Sequence, residues 1–257
     1  MKATIHRLLN KAGIEVRLVR NLKAAHLAAK RDQELDAWRV LAHHDFATVL
    51  DIGANEGQFA AMARRLWPAA HVHSFEPLPD VHAVLVEQFK DDRKVTPHAI
   101  GLSDQPGMQT MHRSNFSPSS SLLQMGELHK QEWPQSAGHQ EIEVRLERLD
   151  DWSKAQEVAA EGGLCKPMLV KIDVQGFELS VIGGGENTLR AADFAVLEVS
   201  FIELYEKQPL FADIHARMSE LGFIYRGNVE QFTSKDKTRV LFADAIFENT
   251  CNNETNA

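Results

Sequence analysis

Thr48-Val-Leu-Asp-Ile-Gly-Ala-Asn-Glu-Gly57 runs from an apolar segment through an acid into a turn with two glycines. Thr48 to Gly53 has the length and composition of a buried strand. Gly57 to Leu66 carries helical spacing and stops at Pro68. The same alternation continues outward. His71 to Phe75 is a strand closed by Glu76-Pro77, Pro79 to Lys90 a helix, and Val95 to Ile100 a strand. Further on, Met168 to Asp173 is a strand, and Glu178 to Arg190 a helix loosened by Gly183, Gly184 and Gly185. Phe194 to Val199 is a strand, and Phe211 to Leu221 a helix ended by Gly222. Such alternation predicts an α/β fold, a mostly parallel sheet with right-handed crossovers. Phe223 to Phe232 and Arg239 to Phe247 follow with no helix between them, which predicts an antiparallel pair at one edge.

Between the two halves, Gly107 to Arg113 and Glu141 to Leu146 read as strands, and Leu149 to Ala160 as a helix. Ser114 to Gly138 is rich in Ser, Gln, Pro and His and has no period. A long irregular segment inside a compact domain is usually functional. The expected organisation is a basic helical extension over 1–44, one domain over 45–248 with a lid-like insertion at 114–140, and a disordered tail over 249–257.

The chain has 257 residues, 44% hydrophobic and 25% charged, an ordinary composition for a soluble domain. No apolar run approaches the roughly 18 residues of a membrane span, so no stable membrane insertion is expected. The first residues lack the uninterrupted apolar core of a secretory signal. Cys165 and Cys251 are in no metal-type spacing. These features predict a cytoplasmic protein. A net charge of −8 argues against general nucleic-acid binding. Residues 1–31 nevertheless hold eight Lys/Arg against Glu15 alone, a surface suited to a packed extension or to an anionic partner. That extension and the expected edge strand at Arg239–Phe247 are candidate contact surfaces of a homo-oligomer.

In open α/β sheets, ligands bind at the carboxyl ends of the strands. A dinucleotide loop wants three glycines and presents bare amides to a pyrophosphate. Here there are two, Gly53 and Gly57, with Asp51 at the strand end and Glu56 in the turn. Two carboxylates would repel a pyrophosphate. They suit a ligand bearing an ammonium and a sulfonium, as S-adenosylmethionine does. Glu76, 23 residues after Gly53, ends the second strand and can accept hydrogen bonds from ribose hydroxyls. Ile100 would then form an apolar wall beside the adenine.

Several segments together resemble the FkbM family of methyltransferases: Val49 to Phe59, Ser74-Phe-Glu-Pro77, Ala99-Ile-Gly-Leu-Ser-Asp104, Arg148-Leu-Asp-Asp151 and Leu169-Val-Lys-Ile-Asp-Val-Gln-Gly-Phe-Glu178. The resemblance covers about residues 45–248. Lys171 to Glu178 is its most specific piece; the basic start lies outside it and Ser114–Gly138 matches it poorly. It implies a Rossmann-like class I methyltransferase fold with seven strands. It also implies methylation of hydroxyl groups on sugars, polyketides and related metabolites. The cofactor site expected by position comprises Asp51, Gly53, Ala54, Asn55, Gly57, Phe59, Glu76, Pro77, Ala99, Ile100 and Asp173.

Methyl transfer to an alcohol needs in-line placement and a base for the hydroxyl proton. Asp173 is the first candidate base, and Glu198, ending the next strand, should lie beside it. Lys171, two residues before Asp173 on the same face, should neutralise nearby carboxylates. His98, His112 and His129 are alternative bases. Two carboxylates alone are a weak metal signal, and no metal is expected. Competing functions are a nicotinamide-dependent oxidoreductase or epimerase, and a non-catalytic protein that recruits a partner.

Overall fold

The computed structural model describes residues 35–159 and 164–251. Leu41–Ala257 forms one compact unit. Of the preceding unit, Met1–Val40, the described residues are helical at 35–37 and form a 3-10 turn at Trp38–Val40, and most of the expected basic helical extension lies outside them.

The main sheet has seven strands: β1 (Thr48–Ile52), β2 (His71–Phe75), β3 (Val95–His98), β7 (Met168–Ile172), β8 (Phe194–Ser200), β9 (Phe223–Thr233) and β10 (Val240–Asn249). Their order is β3-β2-β1-β7-β8-β10-β9. All neighbours from β3 to β8 pair in parallel, while β10 runs antiparallel to both β8 and β9. The strand order reverses at β1, which places β1 and β7 at the switch point. This is the class I methyltransferase arrangement that the sequence implies. One expectation is corrected: Arg239–Phe247 is no edge strand. β10 inserts between β8 and β9, so its apolar residues are covered on both sides and β9 is the edge.

Side chains alternate across a strand. Leu50 and Ile52, Val170 and Ile172, Leu197 and Val199, and Ala243 and Ala245 therefore share one face. There they pack with Leu149 and Trp152 of α4 (Leu149–Ala159), Val181 and Ile182 of α5 (Glu178–Gly184), and Ile214 and Met218 of α7 (Phe211–Glu220). The residues in between face the opposite way. In register across the sheet these are Ser74, Asp51 and Lys171, then Glu198 opposite Asp244. A polar row thus crosses the carboxyl end of an otherwise apolar sheet.

The expected helix Glu178–Arg190 is two helices, α5 and α6 (Glu186–Ala191). The break lies where the helix passes a loop: a Cβ on Gly184 would sit 2.0 Å from the Ser103 carbonyl oxygen. The α1 (Gln58–Leu66) and α2 (Pro79–Phe89) helices follow the predicted spans closely. A second sheet, β4 (Gly101–Leu102), β6 (His139–Glu147) and β5 (Gly107–Ser114), packs Val144 and Leu146 against Leu78 and Val81. Its two-residue strand β4 was too short for any periodicity to mark it.

Residues 114–138 are more ordered than their composition implies. They hold α3 (Glu127–Glu132) and two 3-10 turns, Ser117–Ser119 and Pro134–Ser136. Met125 packs with Leu204, Tyr205 and Leu241. The expected tail also starts too early. Asn249 is buried, and its Nδ2 donates to the Arg190 and Ala192 carbonyls at 3.0 Å each. The remainder, 252–257, lies outside the described residues.

His71, His73, His98 and Phe75 stack in a ladder, with centroids 4.6 to 5.4 Å apart, and Trp152 meets His73, Phe75 and His98 edge-on. Burial first, then the neighbouring imidazoles, push His73 down to about 3 and His98 to about 4 from an ordinary 6.5. A histidine lowered in the native state binds its proton in the unfolded chain first, so stability is lost as pH falls below 6.5. Each should cost about 2 kcal/mol at pH 5. Urea unfolding of wild type and His73→Phe at pH 7 and 5 should show the variant losing about 2 kcal/mol less on acidification. An identical loss would refute this assignment.

Candidate active site

β1 is buried along its whole length, yet its fourth residue is an acid. Burying a carboxylate in a strand costs heavily unless something uses the charge. Asp51 Oδ2 accepts a hydrogen bond from Ser74 Oγ at 3.3 Å, while Oδ1 is buried without a partner. Burial pushes its pKa up to about 6 against the pull of Lys171, and Asp173 adds to the rise.

After Ile52 the chain turns at Gly53, with φ +81°. A Cβ there would lie 1.8 Å from the Asp173 carbonyl oxygen, so β1 and β7 approach this closely only with glycine between them. The Gly53 and Ala54 amides both donate to the Phe75 carbonyl, at 3.1 and 2.9 Å. The Asn55 amide donates to Glu76 Oε2 at 3.0 Å, and the Leu78 amide to Glu76 Oε1 at 2.8 Å. Glu76 therefore ties the β1–α1 loop to the end of β2, a role the sequence did not signal. A carboxylate offers about four acceptor sites, so each oxygen retains capacity for a ribose hydroxyl. Burial pushes Glu76 up to about 7 despite the two amides. Gly57 (φ +94°) precedes α1, and Phe59 is buried with Lys171 Nζ 5.4 Å from its ring centroid. Pro77 and Ile100 are half-buried, Ile100 against the main core, and Ala99 is exposed.

Asp173 stands just past β7. Lys171 Nζ approaches its Oδ2 at 3.0 Å, as the two-residue spacing predicts. Burial alone would lower Lys171, but Asp173, Asp51 and Asp244 outweigh it and hold its pKa above the ordinary lysine value. Gln175 Nε2 donates to Asp173 Oδ1 and to Glu198 Oε1, each at 2.9 Å. Asp173 and Glu198 are thus brought together as expected. Burial, then Asp173, Asp244 and Glu178, push Glu198 well above the usual carboxylate range. Asp244, opposite Glu198, is pushed up to about 7, chiefly by burial.

Of the candidate histidines, His98 and His112 lie apart from this centre and His129 reaches it only through Tyr205. His98 belongs to the aromatic ladder, and His112 lies on β5, its backbone paired with Ser121. His129 is buried, held down at about 4 by desolvation, and its Nε2 lies 3.2 Å from the Tyr205 hydroxyl. Sequence reasoning missed Gln175, Tyr205 and Asp244. Asp244 carried a signal like that of Asp51, an acid inside the apolar strand Val240–Asn249. Tyr205 carried none, because its partners lie 30 to 86 residues away.

The residues at the β1 end fit S-adenosylmethionine. Asp51 Oδ1 lacks the donor that an ammonium-bearing ligand supplies, and the glycine turn leaves backbone open to close approach. Among the described residues there is no group of three or more His, Cys, Asp or Glu placed to hold a metal ion.

A family model described as the methyltransferase FkbM domain matches residues 51–225. The 2-O-methyltransferase NoeI of Sinorhizobium fredii is 34% identical over 168 residues, covering 62% of this chain and 66% of that protein. The hexuronic acid methyltransferase AglP of Haloferax volcanii is 30% identical over 152 residues, covering 58% of this chain and 54% of that protein. The chain thus spans just under two thirds of the first relative and just over half of the second. Among solved structures, the magnesium protoporphyrin IX methyltransferase ChlM of Synechocystis aligns over 97% of both chains, with 10% identity and a TM-score of 0.46. The chain belongs to the FkbM-domain methyltransferases.

Proposed function

We propose that this protein is an S-adenosylmethionine-dependent O-methyltransferase acting on a hydroxyl of a sugar or another small polyhydroxylated metabolite. The observation that carries the cofactor is the buried Asp51, one oxygen unpartnered, on the same sheet edge as Glu76 and Asp173. The similarity to a 2-O-methyltransferase, NoeI, and to a hexuronic acid methyltransferase, AglP, supports the acceptor class.

When bound, S-adenosylmethionine supplies an electrophilic methyl on a sulfonium, and the bonding pair returns to sulfur as the methyl departs. Asp51 would hold the ammonium, Glu76 the ribose hydroxyls, and Ile100 would supply an apolar wall beside the adenine. Asp173 receives the proton that leaves the acceptor hydroxyl as its oxygen bonds to carbon. Glu198, beside it, orients the acceptor. Residues 114–138 act as a lid that excludes water. Ser117 Oγ donates to Asn55 Oδ1 at 3.3 Å and Ser121 Oγ to the Gln175 carbonyl at 2.7 Å, contacts that would let the segment respond to cofactor.

Calorimetric titration with S-adenosylmethionine, S-adenosylhomocysteine and NAD tests this reading. Both sulfur compounds should bind wild type, and Asp51→Asn should weaken S-adenosylmethionine about 10- to 100-fold. Tight NAD binding with no response to either sulfur compound would sink it. Methyl-labelled cofactor offered with hexoses and hexuronic acids, free and as glycosides, should label an ether oxygen in the product.

A further inference from the structure

Gln175 sits between the two acids of the reaction centre in a backbone conformation that glutamine rarely adopts, φ +55°. Such a conformation persists only where the surroundings hold it. Here they do so from several directions. Glu178 Oε1 accepts the Val174 and Gly176 amides, at 3.2 and 3.0 Å, on either side of Gln175. Ser121 Oγ donates to the Gln175 carbonyl at 2.7 Å. The Tyr205 hydroxyl donates to Gln175 Oε1 at 2.9 Å.

The neighbours orient the amide. Its nitrogen faces two carboxylates, which accept, and its oxygen faces a hydroxyl, which donates. Reversed, its carbonyl oxygen would confront two acids of which only the protonated one could donate to it, against the two hydrogen bonds made in the orientation seen. One nitrogen therefore spends its two hydrogens on Asp173 and Glu198 and sets the separation between them.

We propose that Gln175 is the positioning residue of this centre: by donating to both Asp173 and Glu198 it holds them as a close pair of which one member keeps its proton. Tyr205 and Ser121 fix Gln175 in that place. Two carboxylates spanned by one nitrogen repel each other, so one of them keeps its proton. The surrounding charges decide which. Asp173 has Lys171 of β7 against Oδ2. Glu198 faces Asp244 of β10 and has Glu178 of α5 nearby, and both oppose its ionisation. Asp51 of β1 is nearer Asp173 and Lys171, and the Tyr205 phenol stays protonated. The proton therefore sits on Glu198. Asp173, with the Lys171 ammonium against one oxygen, is the member left to accept the proton of the acceptor hydroxyl. The identity of that proton donor rests on the methyltransferase reading; the paired state does not.

Carboxyl ¹³C NMR on cofactor-free protein labelled at Asp and Glu tests this. Titration from pH 4 to 9, with Glu198→Gln to assign the signal, should show a Glu198 step above the ordinary carboxylate range. Gln175→Leu removes a hydrogen bond to the ionised form, so that step should rise by about one pH unit. Tyr205→Phe releases the far end of the amide and should raise it by about half as much. A Gln175→Leu protein with the wild-type circular dichroism spectrum and an unmoved step would overturn the proposal. If Gln175→Leu fails to fold, an unmoved step in Tyr205→Phe overturns it instead. S-adenosylmethionine titrations on the same samples keep the two ideas apart. A moved step without cofactor binding would refute the methyltransferase reading and leave the pairing role standing.

Discussion

Gly53→Ala should abolish detectable S-adenosylmethionine binding and lower the unfolding free energy by about 3–5 kcal/mol. Two costs combine. At φ +81° an alanine is strained whatever the space around it. Its Cβ would also lie 1.8 Å from the Asp173 carbonyl oxygen and 2.8 Å from the carbonyl carbon. Neither atom can swing aside as a side chain would. The Asp173 amide donates to the Ile52 carbonyl at 3.0 Å, so relief requires parting β1 from β7 at the end that carries Asp51 and Asp173. Gly183→Ala is the control. Gly183 lies in α5 with nothing nearer to a new Cβ than the Asp104 Cβ at 3.4 Å, and alanine favours helix. That variant should unfold at the wild-type urea concentration or higher and bind cofactor normally. Wild-type binding by Gly53→Ala would refute the tight β1–β7 approach.

Lys171→Met is expected to cost about 3–5 kcal/mol at pH 7.5, with a methionine stem filling much of the same volume. Lys171 is buried to 8% exposure among Asp51, Asp173 and Asp244. Removing it leaves buried carboxylates without their cation, and the penalty falls on the charged forms. Asp51 and Asp244 already have pKa values raised to about 6 and about 7, and loss of the lysine raises them further. An acid raised in the native state adds stability at low pH and loses it as pH rises through the folded value. Wild type and variant lose stability in parallel up to the folded values of wild type, so the deficit of the variant should grow from about pH 6 upward. At pH 5, where these acids hold protons in the variant, urea unfolding should show less than half the deficit seen at pH 7.5. An equal deficit at both pH values would mean that packing, not charge, was lost.

Much of the local geometry on the proposed cofactor side of the site was legible in the sequence. Asp51, Gly53, Gly57 and Glu76 sit at strand ends and turns, where one chain segment dictates both conformation and chemistry. An acid after an apolar run, followed by a glycine that must take positive φ, states its constraint within a few residues. Lys171 and Asp173 were equally legible, because two-residue spacing on a strand places both on one face.

The reaction centre was less so. Glu198 could be placed beside Asp173 from strand order, but the amide between them belongs to Gln175, whose role needs Tyr205 and Ser121 in place. The rim of residues 114–138 misled for a related reason. Several of its serines and His129 are buried through hydrogen bonds, among them Ser121 to the distant Gln175 and His129 to the distant Tyr205, so its hydrophobicity shows no period. The edge of the sheet went wrong for want of pairing information: nothing local in Val240–Asn249 records that β10 lies between β8 and β9.

From the chain alone came the α/β class, the seven strands, the two-glycine turn and the acids that suit a cationic nucleoside. These follow from periodicity and backbone sterics, which act over neighbouring residues. The folded chain alone decided which strand takes the edge, that Asp51 keeps an unpartnered oxygen, and that Gln175 binds Asp173 to Glu198. Those depend on contacts between segments far apart in sequence, where hydrogen-bond satisfaction and charge burial are settled only once the strands have taken their order.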